Sequence, residues 1–100
     1  MKSAEAETNG ILAAIAGIRS ELSNRFTVNR IGVFGSCARG EADSGSDVDI
    51  LVDLSEPTFD HYMDLKFRLE ELFGRPVDLV MAETLKPRIR PIIERETVYG

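Results

Sequence analysis

The chain has one cysteine, one histidine and no apolar run near the length of a membrane span. With Cys37 alone, no internal disulfide can form. A spanning helix needs about 20 successive apolar residues, and a secretory leader sets a basic start before an apolar stretch. Neither pattern occurs, so a cytoplasmic protein is expected. A Cys–His catalytic pair is also set aside, because His61 falls in a predicted helix with no reason to meet Cys37. Basic excess is missing too: 12 Lys and Arg stand against 17 Asp and Glu, a net charge of −5, which argues against a broad nucleic-acid surface. The 100 residues, 43% hydrophobic and 29% charged, suit one domain over residues 1–100, with 1–7 as a flexible start. At that length a second, substrate-recognising domain is not expected. There are no internal repeats or linkers.

What the chain does have is concentrated between residues 31 and 53. Ile31-Gly32-Val33-Phe34 is a short apolar run that ends in Gly35-Ser36, where the missing Cβ lets backbone N–H groups approach an anion. Ser36 can donate its hydroxyl to a phosphate oxygen. Cys37-Ala38-Arg39 is predicted to open a helix, whose N-terminal partial charge favours phosphate, and Gly40 closes the turn.

Downstream, residues 47–53 read Asp, Val, Asp, Ile, Leu, Val, Asp. Alternate residues of a strand share a face, so Asp47 and Asp49 point together, about 6 to 7 Å apart, while Val48, Ile50 and Val52 point the other way. Two ionised carboxylates that close demand a counter-charge, and magnesium suits an all-oxygen cluster. A third carboxylate is available in Val77-Asp78-Leu79-Val80-Met81, a second apolar strand with an acid embedded in it. If that strand lies beside the first, Asp78 completes a triad of metal ligands and can serve as a general base.

Gly35-Ser36, ten intervening residues, Asp47-Val48-Asp49 and the later strand-borne Asp78 together resemble the signature of the polymerase-β-type nucleotidyltransferase superfamily. In detail, Gly35-Ser36-Cys37-Ala38-Arg39-Gly40 with Ser46-Asp47-Val48-Asp49-Ile50-Leu51-Val52 resembles the small MNT-type (minimal nucleotidyltransferase) proteins, many of them antitoxins paired with HEPN-domain toxins. The resemblance covers roughly residues 28–98, and Cys37 falls where the family varies. It implies a nucleotidyltransferase (polymerase-β-like) fold, ATP as donor, two Mg²⁺ ions and a HEPN toxin as partner. The implied reaction moves AMP from ATP to a tyrosine hydroxyl of the toxin, silencing it. Asp47, Asp49 and Asp78 would be the catalytic metal ligands, and Gly35, Ser36, Arg39 and Ser46 would bind the nucleotide. Two alternatives stay open: an antitoxin that neutralises its toxin by binding alone, and a small-molecule nucleotidyltransferase of the aminoglycoside type.

Some charged residues have two readings. Arg39 contacts triphosphate or pairs with Glu41, Asp43 or Asp53. Lys86, Arg88, Arg90 and Arg95, interspersed with Glu94 and Glu96, contact phosphates or an acidic partner, or form a solvated helix face. Asp53 continues the acidic face but lies far along it for coordination.

The scaffold follows from periodicity. Ile11, Leu12, Ile15, Ile18 and Leu22 predict a helix over residues 9–24 capped by Thr8 or Asn9. Tyr62, Leu65, Leu69, Leu72 and Phe73 predict another over 58–73, with Thr58 as cap and Gly74 as stop. Beyond Met81, Pro87 and Pro91 interrupt the spacing of Leu85, Ile89, Ile92 and Ile93, predicting a kinked helix or two short ones. The order helix, strand, turn, strand, helix, strand, helix indicates an α/β domain with a small mixed β-sheet covered by helices.

Overall fold

A computed structural model describes residues 4–35 and 47–100. It opens with two helices, α1 (Ala4–Gly17) and α2 (Arg19–Phe26), where periodicity predicted one over residues 9–24. The start lies earlier because alanines and glutamates at 4–7 are strong helix formers, which places Thr8 and Asn9 inside α1 instead of at its cap. The break comes at Ile18 (φ −120°, ψ 22°), next to Gly17, a residue that weakens helices. It re-aims the second segment so that Leu22 and Phe26 are both buried.

Thr27 ends α2 at φ 57°, a left-handed conformation that costs a non-glycine residue about 1–2 kcal/mol. Hydrogen bonds offset that strain: the Thr27 carbonyl accepts from Ser55 N–H at 2.8 Å and its hydroxyl accepts from Glu56 N–H at 3.1 Å. The chain then enters β1 (Val28–Phe34), longer than the apolar run alone suggested, and β2 (Val48–Leu54) returns antiparallel to it. Next come α3 (Phe59–Phe73), β3 (Val77–Met81), a 3₁₀ turn (Ala82–Thr84), α4 (Arg90–Glu96) and β4 (Val98–Tyr99).

Helix α3 has the predicted ends. Thr58 accepts from His61 N–H at 3.1 Å, and Gly74 closes the helix at φ 68°. Two bonds tie α3 to the strand that follows: the Glu70 carboxylate accepts from Val77 N–H at 3.0 Å, and the Tyr62 hydroxyl donates to the Leu79 carbonyl at 2.7 Å. After Met81 the prolines divide the tail into the 3₁₀ turn and α4, with Pro91 in the first turn of α4, where a missing N–H costs no helical bond.

The sheet has the order β3-β2-β1-β4, mixed because β2 and β3 are parallel and the other pairs antiparallel. Val28, Ile31, Val33, Val48, Ile50, Val52, Val77 and Leu79 face the helices and form the core with Ile15, Leu22, Phe26, Leu65 and Leu69. This alternation is the period-two pattern of residues 47–53. Leu51 points away from that core yet is 1% exposed, so the opposite face is covered at that point as well. Among the described residues, no helix is long and apolar enough to cross a membrane.

Candidate active site

The acidic residues converge through strand register. Asp49 sits in β2 opposite Phe34 of β1 on one side and opposite Asp78 of β3 on the other. Neighbouring strands lie about 4.8 Å apart, and in-register residues project to the same face, so the Asp49 and Asp78 carboxylates leave the sheet side by side. Asp47 lies immediately before β2 and, by the same alternation, belongs to that face. The Val48 N–H donates to the Pro76 carbonyl at 3.0 Å, which holds the entries to β2 and β3 together at this end. Asp47 and Asp78 are exposed and Asp49 is half-buried.

Gly35 follows the last residue of β1 at φ 72°, in the region that L side chains rarely adopt. A Cβ built on it would fall within the Asp49 carboxylate. Glycine is therefore needed twice here, for the turn and for the carboxylate packed against it. The end of β1 and the starts of β2 and β3 make one acidic corner floored by a glycine.

Carboxylate oxygens are the ligand type that magnesium accepts. The donors are hard carboxylate oxygens on one face, and the cradle at Gly35 is occupied by a carboxylate where any other residue would place carbon. Among the described residues, no three His, Cys, Asp or Glu side chains already stand close enough to hold a metal ion. Carboxylates sharing a face repel one another unless a cation stands between them.

Ser36, Arg39 and Ser46, together with the helical turn at Cys37-Ala38-Arg39, its closure at Gly40 and the alternative Arg39 pairs with Glu41, Asp43 or Asp53, lie outside the described residues. Asp53 is opposite Arg30 in register. Arg90 makes a 2.9 Å ion pair with Glu94, which raises its already high pKa, with a smaller contribution from the field of Asp53.

Two features of this face were not foreseen from sequence. Strand β4 is only two residues long, too short for alternation to register, and it adds Tyr99, whose hydroxyl accepts from Arg30 Nη2 at 2.9 Å while its ring lies 4.5 Å from the guanidinium. Gly32 makes room for it: a Cβ there would lie 2.5 Å from Thr97 Cγ2 and 2.9 Å from the Val98 carbonyl oxygen. The one visible signal was a glycine inside an apolar strand, which marks close backbone approach.

A glycine turn abutting a strand-borne aspartate, with a second aspartate in register on the next strand, is the arrangement that the fold brings together at this corner. The family model described as "Nucleotidyltransferase domain" matches residues 15–99, and the chain belongs to that family: it is a nucleotidyltransferase. Among known proteins, it is 51% identical over 82 residues to "Protein adenylyltransferase MntA" of Thermococcus cleftensis, a match covering 81% of this chain and 83% of that one. Among solved structures, it is similar to a candidate minimal nucleotidyltransferase, with a TM-score of 0.74 and 37% identity over 97% of this chain and 95% of the other. A toxin–antitoxin structure with AMP-PNP shares the fold, with a TM-score of 0.57 and 23% identity over 70% of this chain and 59% of that chain. The mixed sheet with helices predicted from sequence is the architecture found.

Proposed function

We propose that this protein is a magnesium-dependent adenylyltransferase that moves AMP from ATP to a tyrosine hydroxyl of a HEPN-type toxin and thereby acts as its antitoxin. The observation that carries the reading is the Asp49–Asp78 register beside Gly35. The 51% identity to a protein adenylyltransferase supports AMP as the transferred group and a protein as the acceptor. Pairing with a toxin is carried over from the toxin–antitoxin structure as part of the proposal. On this reading, residues 1–100 work as one minimal domain in the cytoplasm, in complex with the toxin.

Each residue has a role in this scheme. Backbone N–H groups of the Gly35 turn, with Ser36 and Ser46, hold the triphosphate, and Arg39 adds a charge-assisted contact. Asp47, Asp49 and Asp78 would hold two magnesium ions, which when bound neutralise the phosphates and polarise the α-phosphoryl group. The Asp78 carboxylate takes the proton of the acceptor hydroxyl. That oxygen bonds to the α-phosphorus as the bond from α-phosphorus to the bridging oxygen breaks, and pyrophosphate departs with the bonding pair.

The test is transfer of label from α-labelled ATP, with Mg²⁺, to the product of the neighbouring gene. Wild type should label a tyrosine of that protein, and Asp49→Asn and Asp78→Asn should lose most of the signal. Transfer by either variant at the wild-type rate, or no transfer by wild type, would defeat the proposal.

A further inference from the structure

The two edge strands of the sheet, β3 and β4, are consecutive, so the chain between them must cross one face of the sheet. Helices α1, α2 and α3 pack on the face of the apolar core. The crossing segment takes the other face. Thr97 stands where a Gly32 side chain would be, and Arg90 lies within the field of Asp53 and Tyr99. Helix α4 thus runs over the sheet face that bears Asp49 and Asp78. Its C-terminal end delivers Val98 opposite Val33, close to the end of β1 where Gly35 turns.

The outward side of this segment is unusual for the molecule. Ile92 is 53% and Ile89 45% exposed, and the exposed Arg88 and Arg95 flank them. Backbone bonds from Ile89 N–H and Arg90 N–H to the Lys86 carbonyl begin the helical turn early, so Arg88, Ile92 and Arg95 fall at i, i+4 and i+7 on one stripe. Neither Arg88 nor Arg95 forms an ion pair with a described residue. In a chain of net charge −5, residues 86–95 carry four cations and one carboxylate. Lone exposed isoleucines need no explanation, but two of them inside a local reversal of charge do.

We infer that the stripe Arg88, Ile89, Ile92 and Arg95 is the docking surface for the acceptor protein, which meets it with an apolar centre rimmed by carboxylates. The inference rests on the reading that the acceptor is a protein. Location and charge select this occupant. A protein seated on α4 stands on the catalytic face and can present a hydroxyl to Asp78. The larger exposed aromatics on α3 are placed differently: Phe67 lies beside α2 among Glu21, Arg25, Asp64, Arg68 and Glu71, where the charges are mixed, and Phe59 lies at the β3 edge beside Tyr62, Val80 and Met81, with no basic residue among the described residues around it. A basic rim also steers an acidic partner and weakens with salt.

The test uses the whole protein and the purified product of the neighbouring gene. The variants are Ile92→Glu with Arg95→Glu, and a milder pair, Ile92→Ala with Arg95→Ala, which guards against misfolding; thermal melts check both. Partner affinity and the partner KM of labelling should weaken about tenfold or more in the Glu pair, as expected for loss of interface anchors, with Mg·ATP affinity and kcat at saturating partner kept. The Ala pair should fall between. If wild type binds the partner without labelling it and the Glu pair fails to bind, the surface stands and the transfer reading falls. If wild type labels the partner and the Glu pair does so with unchanged KM, the surface is wrong. It is also wrong if wild type does not bind the partner, if the variants lose Mg·ATP binding while keeping the partner, or if they lose only self-association or only a short RNA.

Discussion

Replacing Gly35 with alanine should damage both the fold and the reaction, and the two costs can be separated. The first contribution is backbone strain: φ is 72°, and an L side chain there costs roughly 1–2 kcal/mol. The second is steric: the new methyl would occupy the space of the Asp49 carboxylate, an overpacking worth about 1–3 kcal/mol. Only the second depends on Asp49. Gly35→Ala should therefore lose about 2–5 kcal/mol in a wild-type background and about 1–2 kcal/mol in an Asp49→Ala background, a coupling of roughly 1–3 kcal/mol. For a domain of this size each kcal/mol lowers Tm by about 4–8 °C. Urea unfolding of the four proteins measures the cycle. Labelling of the partner by Gly35→Ala should fall about 100-fold or more, because moving a catalytic group by about 1 Å has a cost of that order. Equal destabilisation in both backgrounds would refute the packing argument, and unchanged stability would refute the strain argument as well.

Other perturbations test other parts of the molecule. Asp78→Asn should abolish transfer while raising the stability of the metal-free protein by a few tenths of a kcal/mol, since it removes one of the like charges aligned with Asp49; urea unfolding with and without Mg²⁺ would show the gain only without the ion. Gly32→Ala should cost about 1–3 kcal/mol and speed hydrogen exchange at the Gly100 N–H, which donates to the Ile31 carbonyl at 2.9 Å, because the added carbon meets Thr97 and the β4 backbone. Thr58→Ala should cost about 1 kcal/mol through loss of the α3 cap, read as a lower Tm. Glu21 accepts from Arg68 at 2.9 and 3.2 Å and from Arg25 at 2.6 Å, and the Arg68 hydrogen bond is the largest cause holding its carboxyl below the usual glutamate range. A depressed carboxyl stabilises the fold above its unfolded value of 4.5, and that contribution is lost as pH falls through the lower folded value. Glu21→Gln should flatten this acid limb in a series of thermal melts.

The parts of the molecule written in the sequence are those where one residue type meets one local requirement. Thr58 and Gly74 bracket α3 because a hydroxyl cap and a left-handed stop are local chemistry. Val77–Met81 was legible as a strand, and its pairing beside β2 was the condition on which Asp78 entered the triad. The break at Ile18 was not legible, because leucine and isoleucine spacing runs through it unchanged and the neighbouring Gly17 weakens a helix without dictating that it turn. Strand β4 was hidden for a similar reason: two residues carry no period, and their partner lies more than sixty positions away. Of the corner itself, the sequence displayed the chemical groups, while the contact between Gly35 and Asp49 is a property of register.

Val98 follows Phe34 by 64 residues, yet β4 is what pairs with the outer edge of β1. At about 5–20 residues per second, a ribosome needs roughly 3–13 s to make that interval. For those seconds the strand leading into Gly35 has a partner on one side and a bare row of N–H and C=O groups on the other, the kind of edge on which foreign strands add. A two-residue strand contributes little to the finished sheet. Its larger consequence lies in biosynthesis: the strand leading into Gly35 is most exposed before β4 has been made, and the arrival of Val98 and Tyr99 brings that exposure to an end.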